Sequence, residues 1–187
     1  MRQARLALRG GAQILQYRNK SAEASLRLHQ AQALRQLTRE FKTTFIVNDD
    51  VQLALQVDAD GVHLGGEDGS VAAARLLLGK QKLIGVSCYN RVPLAHEAVR
   101  DGADYVAFGA FYSSSVKPEA VKADVELLHT ARKELSVPIV AIGGITQQNA
   151  TMLIEAGADA VAVISALWNA PDIETSAKGF STLFCKA

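Results

Sequence analysis

The chain has 187 residues, 49% of them hydrophobic, and its 20 basic and 19 acidic side chains leave a net charge of +1. This length fits one domain with a sizeable core, and the balanced charge gives no reason to expect a nucleic-acid or membrane partner. No apolar run approaches the length of a membrane span, about 20 residues. Arg9 interrupts the first apolar segment too early for a signal peptide.

The two cysteines, Cys88 and Cys185, fit no metal-binding spacing. We therefore expect two reduced thiols in a cytoplasmic protein.

Short apolar runs alternate with amphipathic stretches along the chain. Most of the runs lack polar alternation, as is typical of strands that are covered on both faces. They predict strands over 12–18, 44–48, 61–65, 82–87, 105–109, 138–143 and 160–164. The amphipathic stretches predict helices over 22–41, 50–57, 70–78, 91–101, 122–135, 147–156 and 166–184. A βα repeat of this kind indicates a parallel sheet.

One short pattern occurs three times, as DADGV at 58–62, GADYV at 102–106 and GADAV at 157–161. Each copy would place a helix end, a tight turn and a strand start in the same order. Gly102 and Gly157 suit the end of a helix, where a left-handed backbone is needed. The repetition favours a barrel over an open doubly wound sheet, which stays the alternative.

The fold class predicted from these features is α/β, a TIM-type (β/α)8 barrel. Only seven strands are predicted, one fewer than a closed barrel has, and the first residues resemble the tail of a helix. We therefore expect residues 1–187 to form a single (β/α) barrel domain that lacks its first β-strand and is N-terminally incomplete.

Active sites of such barrels lie at the C-terminal ends of the strands, so the residues after each strand are the functional candidates. After the first strand come Gln16, Arg18 and Lys20. In an extended chain these three residues share one face, and a guanidinium beside an ammonium suits a diphosphate. Taken alone, a solvated strand end is the better interpretation of these residues.

Acceptor side chains follow the second and third strands. Asn48, Asp49 and Asp50 end the second strand, and Glu67 and Asp68 follow the third. Carboxylates from neighbouring strand ends can hold one Mg²⁺, which takes few protein ligands and the oxygens of a substrate phosphate. Each aspartate also precedes a predicted helix, where it could be the N-cap. For Asp50 we favour the cap, and for Asp49 and Asp68 both interpretations stay open.

The later strand ends carry candidate phosphate ligands. Ser87 follows the fourth strand, and a loop over 110–120 with three serines and Lys117 follows the fifth. That loop is a candidate lid, although hydroxyls and a lysine also suit an ordinary exposed loop. The glycines at 143–144 would let a ligand approach the backbone, and loops after the last two barrel strands commonly bind a phosphate. His63 lies in a strand, where we expect a packed core histidine without a catalytic role.

These residues predict a barrel with two anion sites, and they suggest an enzyme that joins or splits phosphorylated small molecules. The motifs QYRNK, NDD, DGVHLGGED, IGVS, AFGAFYSSSVKP, AIGGIT and AVISA resemble, in this order, those of the thiamine-phosphate synthase family. The resemblance runs nearly from end to end. Several ordered motifs together are far more specific than any one of them.

The resemblance implies that the chain couples a hydroxymethylpyrimidine diphosphate to a thiazole phosphate, giving thiamine phosphate and pyrophosphate, with Mg²⁺ as cofactor. By position, the pyrimidine diphosphate would be bound by Gln16, Arg18, Lys20, Asn48, Ser87 and Lys117. The thiazole phosphate would be bound by Ser114, Ser115, Val116, Gly144, Ile164 and Ser165. Asp49 and Asp68 would hold the metal ion.

The resemblance also implies a dissociative mechanism, in which the diphosphate leaves first and the thiazole nitrogen attacks a pyrimidine carbocation. Positive groups would stabilise the charge that develops on the leaving group. Holding both substrates together would remove much of the entropic barrier. The thiazole nitrogen carries no proton to remove, so no general base is needed.

Two features depart from the family pattern and leave alternatives open. The opening strand of the family is absent, and Val116 stands where the family usually has Thr. A lost hydroxyl donor would cost on the order of 1 kcal/mol or more if it bonded a substrate. One alternative is a thiazole tautomerase, although such relatives tend to carry His where Tyr89 stands. The other is a non-catalytic protein that binds thiamine phosphate or a precursor.

Overall fold

The computed structural model describes residues 1–65, 69–113 and 121–184. Its strands are β1 Ile14–Tyr17, β2 Thr44–Asn48, β3 Gly61–Leu64, β4 Leu83–Tyr89, β5 Tyr105–Phe108, β6 Ile139–Ile142 and β7 Ala160–Ala162. Its helices are α1 Arg2–Arg9, α2 Ala24–Phe41, α3 Val51–Gln56, α4 Val71–Leu78, α5 Val92–Arg100, α6 Glu126–Glu134, α7 Gln147–Glu155, α8 Ser165–Trp168 and α9 Ile173–Leu183. All seven predicted strands are present.

The strands form one parallel sheet in the sequence order β1 to β7. Each strand pairs with the next along the chain, and every pair is parallel. The predicted α/β class with a parallel sheet is therefore confirmed, and the curled sheet is consistent with a TIM-type barrel. The expectation that a first strand is missing stays a prediction. Within the described part of the chain, no helix combines the length and apolarity needed to cross a membrane.

The prediction of one continuous helix over 166–184 is wrong, because the helix is interrupted between residues 168 and 173. Two helices occupy this segment, α8 ending at Trp168 and α9 beginning at Ile173. Pro171 lies between them, and proline cannot donate to the helical hydrogen-bond pattern. Asp172 then caps α9, because its side chain accepts a hydrogen bond from the Thr175 N–H at 3.1 Å. The break turns the chain so that α9 packs against α1 and α7.

The two faces of the strands meet different surroundings, as β4 illustrates. Ile84, Val86 and Cys88 alternate along this strand and join the main hydrophobic core, which includes residues of the flanking helices α4 and α5. Gly85 and Ser87 lie between them and therefore face the opposite, concave side of the sheet. The helix-facing side chains hold the sheet in place. On the concave side, β4 carries a glycine and a serine instead of large apolar side chains.

The pattern repeated in the sequence builds the same contact three times at the amino ends of the strands. Asp60, Asp104 and Asp159 each precede a strand, and each carboxylate accepts the backbone N–H of the neighbouring strand at 2.7–2.8 Å. Each also binds an arginine from a helix. We call these contacts the three Asp–Arg pairs: Arg35–Asp60, Arg75–Asp104 and Arg132–Asp159.

The backbone just before these aspartates has the predicted turn. Gly102 and Gly157 have positive φ angles of 104° and 114°, and Asp58 takes the equivalent position with φ of 50°. This left-handed residue ends the preceding helix and aims the chain into the next strand. The three copies of the sequence pattern are thus three copies of one helix-to-strand connection.

We expect Asp104→Ala to lower the free energy of unfolding by about 1–3 kcal/mol, because it removes the acceptor of the Ile84 N–H and leaves Arg75 without its carboxylate. Urea unfolding of wild type and variant, followed by circular dichroism, measures the change.

Asp101→Ala is the matched control. Asp101 lies three residues away, and its contact is a single exposed pair with Arg100 at 3.4 Å. Exposed pairs of this kind contribute little, so we expect no measurable loss. Equal losses for the two variants would contradict a special role for the Asp–Arg pair.

Candidate functional site

A polar cavity lies at the carboxyl ends of β1 and β2. Its volume is about 250 Å³, and it is lined by Tyr17, Arg18, Asn19, Lys20, Arg27, Asn48, Asp49 and Leu53. Four residues predicted for the diphosphate and the metal, Arg18, Lys20, Asn48 and Asp49, therefore meet in one place. They come from two strand ends that lie side by side because β1 pairs with β2.

Asp49 is the acidic centre of this cavity. The Lys20 ammonium lies 2.7 Å from Asp49 Oδ2. The backbone of Asp49 has a positive φ of 65°, and its N–H donates to the carbonyl of His63 on β3 at 2.8 Å. Such a conformation is uncommon for a residue with a side chain, although aspartate tolerates it better than most. Asp49 directly follows the last residue of β2 and lines the cavity there.

Asp50 has a different role from its neighbour. Its Oδ1 accepts the Leu53 N–H at 2.8 Å, and it is the N-cap of α3. Its other oxygen binds the Arg27 guanidinium. The prediction that Asp50 caps a helix is confirmed. The two adjacent carboxylates thus avoid each other, since each one has its own cation.

Gln16 lies outside the cavity lining. Leu15 and Tyr17 are buried, whereas Ile14 and Gln16 are exposed. Leu15 packs with Leu8 and Leu37 of the flanking helices, so Ile14 and Gln16 face the concave side. There Ile14 is 51% exposed, and the concave face at β1 is open to solvent.

A hydrogen-bonded chain of side chains lies on the concave face of β3, β4 and β5. His63 Nε2 is 2.9 Å from Ser87 Oγ, and His63 Nδ1 is 3.1 Å from Tyr105 Oη. Ser87 was predicted to face the diphosphate. The structure connects Ser87 to two side chains that carry no such prediction.

The ends of β6 and β7 lie next to each other, since Ile142 pairs with Ala162. Gly144 lies two residues after Ile142, and Ile164 lies two residues after Ala162. The two residues are therefore on neighbouring loops. Ile164 is 55% exposed, and Ser165 begins α8. Gly144, one of the two glycines predicted to let a ligand approach, is also packed against another segment of the chain. A Cβ on Gly144 would lie 2.5 Å from the Ser113 carbonyl oxygen, so glycine is needed there for chain packing.

Five predicted site residues lie outside the described residues: Asp68, Ser114, Ser115, Val116 and Lys117. The lid predicted over 110–120 lies mostly outside them too. The helix after Asp68 has its own N-cap, because Ser70 Oγ accepts the Ala73 N–H at 3.3 Å. Among the residues that the structure describes, no group of three His, Cys, Asp or Glu side chains could hold a metal ion.

Sequence reasoning missed Arg27 and Asn19. His63 is buried and hydrogen-bonded, as expected of a core histidine, but its partners were not foreseen. Arg27 and Asn19 line the cavity, but both sit in stretches that look like a helix surface and a turn. Gln30 on α2 accepts hydrogen bonds from Tyr17 at 2.8 Å and from Asn19 at 3.1 Å, which fixes this wall. The contacts of His63 cross three strands, so only the sheet order could have revealed them.

In parallel βα folds of the barrel class, active sites lie at the carboxyl ends of the strands, so the charged cavity at this end is the candidate active site of an enzyme of that class. Residues 1–167 match a protein family described as thiamine monophosphate synthase. The chain is 59% identical over 177 residues to a thiamine-phosphate synthase of Methylobacillus flagellatus, covering 95% of this chain and 84% of that protein. It is 54% identical over 178 residues to one of Nitrosomonas eutropha, again covering 95% and 84%.

A solved structure gives the same result. The thiamine phosphate pyrophosphorylase of Pyrococcus furiosus superposes with a TM-score of 0.92 at 36% identity, covering 99% of this chain and 89% of that one. This chain belongs to the thiamine monophosphate synthase family. The resemblance seen in the sequence is confirmed, and so are the predictions of a thiamine-phosphate synthase and of a transferase of thiamine biosynthesis.

Cys88 yields a prediction about the strand that carries Ser87. Burial raises the pKa of the Cys88 thiol to about 12, and only a thiolate reacts readily with alkylating reagents. We expect iodoacetamide at pH 8 to leave Cys88 unmodified in the folded protein and to modify it fully in urea. Mass spectrometry of the Cys88 peptide measures both. Rapid labelling of the folded protein would show that β4 opens readily.

Proposed function

We propose that this chain joins a hydroxymethylpyrimidine diphosphate to a thiazole phosphate, releasing pyrophosphate. The observation that carries the proposal is the cavity in which Arg18, Lys20, Asn48 and Asp49 converge. The names of the relatives give thiamine phosphate as the product of that family. The identity of the two substrates is our inference from the charges of the site.

The basic side of the cavity suits a diphosphate. Arg18 offers a planar fork of donors and Lys20 a mobile ammonium, and both side chains are exposed at the end of β1. Charge-assisted hydrogen bonds from such groups to phosphate oxygens are about twice as strong as neutral ones. Asn48 ends β2 beside them and can hydrogen-bond the pyrimidine through its amide.

Asp49 fits a role in holding Mg²⁺. Its carboxylate is half-buried and already attracts a cation, since the Lys20 ammonium lies 2.7 Å away. Mg²⁺ needs few protein ligands when a substrate phosphate supplies others, and we include Asp68 as its second carboxylate. When bound, the ion supplies positive charge to the diphosphate oxygens.

The thiazole phosphate is assigned to the loops after β5, β6 and β7. Gly144, Ile164 and Ser165 come from two adjacent strand ends, and Ser114, Ser115 and Val116 complete the proposed set. Backbone N–H groups in such loops bind phosphate in many barrels. Because β6 and β7 lie far along the sheet from β1 and β2, the two substrates would approach each other across its concave face.

The proposed reaction is dissociative. The C–O bond to the diphosphate breaks first, and the electron pair leaves with the diphosphate. Arg18 and Lys20, with Lys117 and Ser87, stabilise that charge as it develops. The thiazole nitrogen then attacks the pyrimidine carbocation with its lone pair, so no side chain needs to remove a proton from it.

A closed barrel with one further strand between β7 and β1, and a cytoplasmic location, complete the proposal. The two edges of the described sheet support the further strand: β1 and β7 each pair on one side only, and a strand between them would pair both edges. Cys88 is a free thiol, which suits a reducing compartment.

The proposed metal site is tested by product formation from both substrates, with Mg²⁺ or with EDTA. We expect thiamine phosphate only with Mg²⁺. Asp49→Ala should lower kcat by about 10²-fold or more, because it removes a ligand of the group that stabilises the transition-state charge. Chromatographic quantification of thiamine phosphate measures the rate.

Asp101→Ala serves as the control, since Asp101 lies at the opposite end of the sheet. We expect this variant to form product at the wild-type rate. Unchanged turnover in EDTA would refute the metal assignment. Binding of either substrate by the wild-type protein without any product would instead favour a non-catalytic thiamine precursor-binding protein.

A further inference from the structure

Three side chains on the concave face form a continuous hydrogen-bonded chain that the proposed reaction does not use in full. Tyr105 Oη is 3.1 Å from His63 Nδ1, and His63 Nε2 is 2.9 Å from Ser87 Oγ. His63 is 8% exposed. A buried imidazole with a partner on each nitrogen has a fixed ring orientation.

The backbone is shaped to allow this chain. His63 and Tyr105 lie on β3 and β5, and both are paired with Gly85 on the strand between them. A Cβ on Gly85 would lie 1.9 Å from Tyr105 Cζ. The phenol ring therefore occupies the space of the missing side chain and reaches across β4 to the imidazole, with ring centroids 5.6 Å apart.

The direction of the hydrogen bonds follows from which groups at the two ends of the chain, Ser87 and Tyr105, can donate a proton. A diphosphate offers only acceptors, so Ser87 must use its single O–H to donate to it. Ser87 Oγ must then accept from His63, which places the proton on Nε2. In the neutral imidazole the other nitrogen, Nδ1, then accepts, and Tyr105 donates. Burial, with a smaller contribution from the Asp104 charge, raises the pKa of the Tyr105 phenol, which therefore keeps its proton and remains a donor.

We propose that Tyr105 and His63 are positioning residues that fix the Ser87 hydroxyl as a hydrogen-bond donor to the diphosphate. This inference rests on the proposed function, which assigns the diphosphate to the strand ends that include Ser87. A hydroxyl can rotate among several acceptors, and the imidazole N–H removes the competing direction. The donor is then oriented before the substrate arrives, so no reorganisation is needed as charge develops.

A double-mutant cycle tests the coupling. His63→Leu removes the donor at similar volume, and we expect kcat to fall by about tenfold with little change in KM, as for the loss of one oriented hydrogen bond. Ser87→Ala should lower kcat by at least as much. Adding His63→Leu to Ser87→Ala should change kcat by less than about twofold, since the group that His63 orients is gone.

His63→Gln is the conservative variant, because its amide can still donate to Ser87, and it should restore most of the lost kcat. His129→Leu, at an exposed histidine on α6, is the control for an effect of removing any imidazole. A merely structural role would make His63→Leu equally costly with and without Ser87. That result would overturn the proposal.

The tautomer provides a second readout that needs no turnover. In ¹⁵N spectra of histidine-labelled protein, we expect the His63 signals to be those of the Nε2–H tautomer. The signals are assigned to His63 because they disappear in the His63→Gln variant. Tyr105→Phe should shift part of it to Nδ1–H. The other three histidines, His29, His96 and His129, are exposed and mark the background. A wild-type Nδ1–H tautomer would overturn the proposal.

Inorganic pyrophosphate separates this inference from the proposed function. If the wild-type chain forms no product, the synthase proposal fails for this chain, and pyrophosphate affinity by calorimetry replaces kcat in the same cycle. Non-additive weakening by His63→Leu and Ser87→Ala would support the positioning role. Additive weakening, or no effect of His63→Leu, would refute it.

Discussion

The three Asp–Arg pairs hold the amino edge of the sheet, and the remaining architecture depends on them. The N–H groups of Phe45, Ile84 and Ile139 belong to the first or second residue of their strands, and a buried N–H without a partner is costly. Asp60, Asp104 and Asp159 supply that partner at 2.7–2.8 Å. Because each carboxylate also binds an arginine from a covering helix, one residue fixes a strand, its neighbour and a helix together.

Whereas the Asp–Arg pairs lie at the amino edge, unusual backbone lies at the carboxyl edge. Asp49, directly after β2, and Tyr89, the last residue of β4, have positive φ angles of 65° and 54°. Such conformations cost free energy and persist only where the surroundings impose them. Here β2 and β4 each pair on both sides, although the register between β4 and β5 shifts between Ser87 and Tyr89. The irregular backbone is thus confined to the carboxyl ends of these strands.

The sequence was sufficient for features that repeat or that depend on near neighbours. Apolar runs predicted every strand, the DADGV-like repeat predicted the turns, and the acidic residue before α3 predicted its cap. The helix over 166–184 failed because amphipathic spacing continued across Pro171, which outweighs it. Side-chain chemistry between strands could not be predicted, since the contact of His63 with Tyr105 depends on which strands are adjacent and on their register. Arg27 was missed for the same reason, as its partner Asp50 is 23 residues away.

Because Gly85 on β4 has no side chain, a side chain of the neighbouring strand β5 can occupy the space beside it. The ring of Tyr105 lies where a side chain at position 85 would be. In related proteins the two positions should therefore vary together: a larger residue at 85 requires a smaller one at 105, and with it the buried imidazole loses a neighbour. Covariation between these positions is a constraint on the evolution of the barrel interior that single-site tolerance would not reveal.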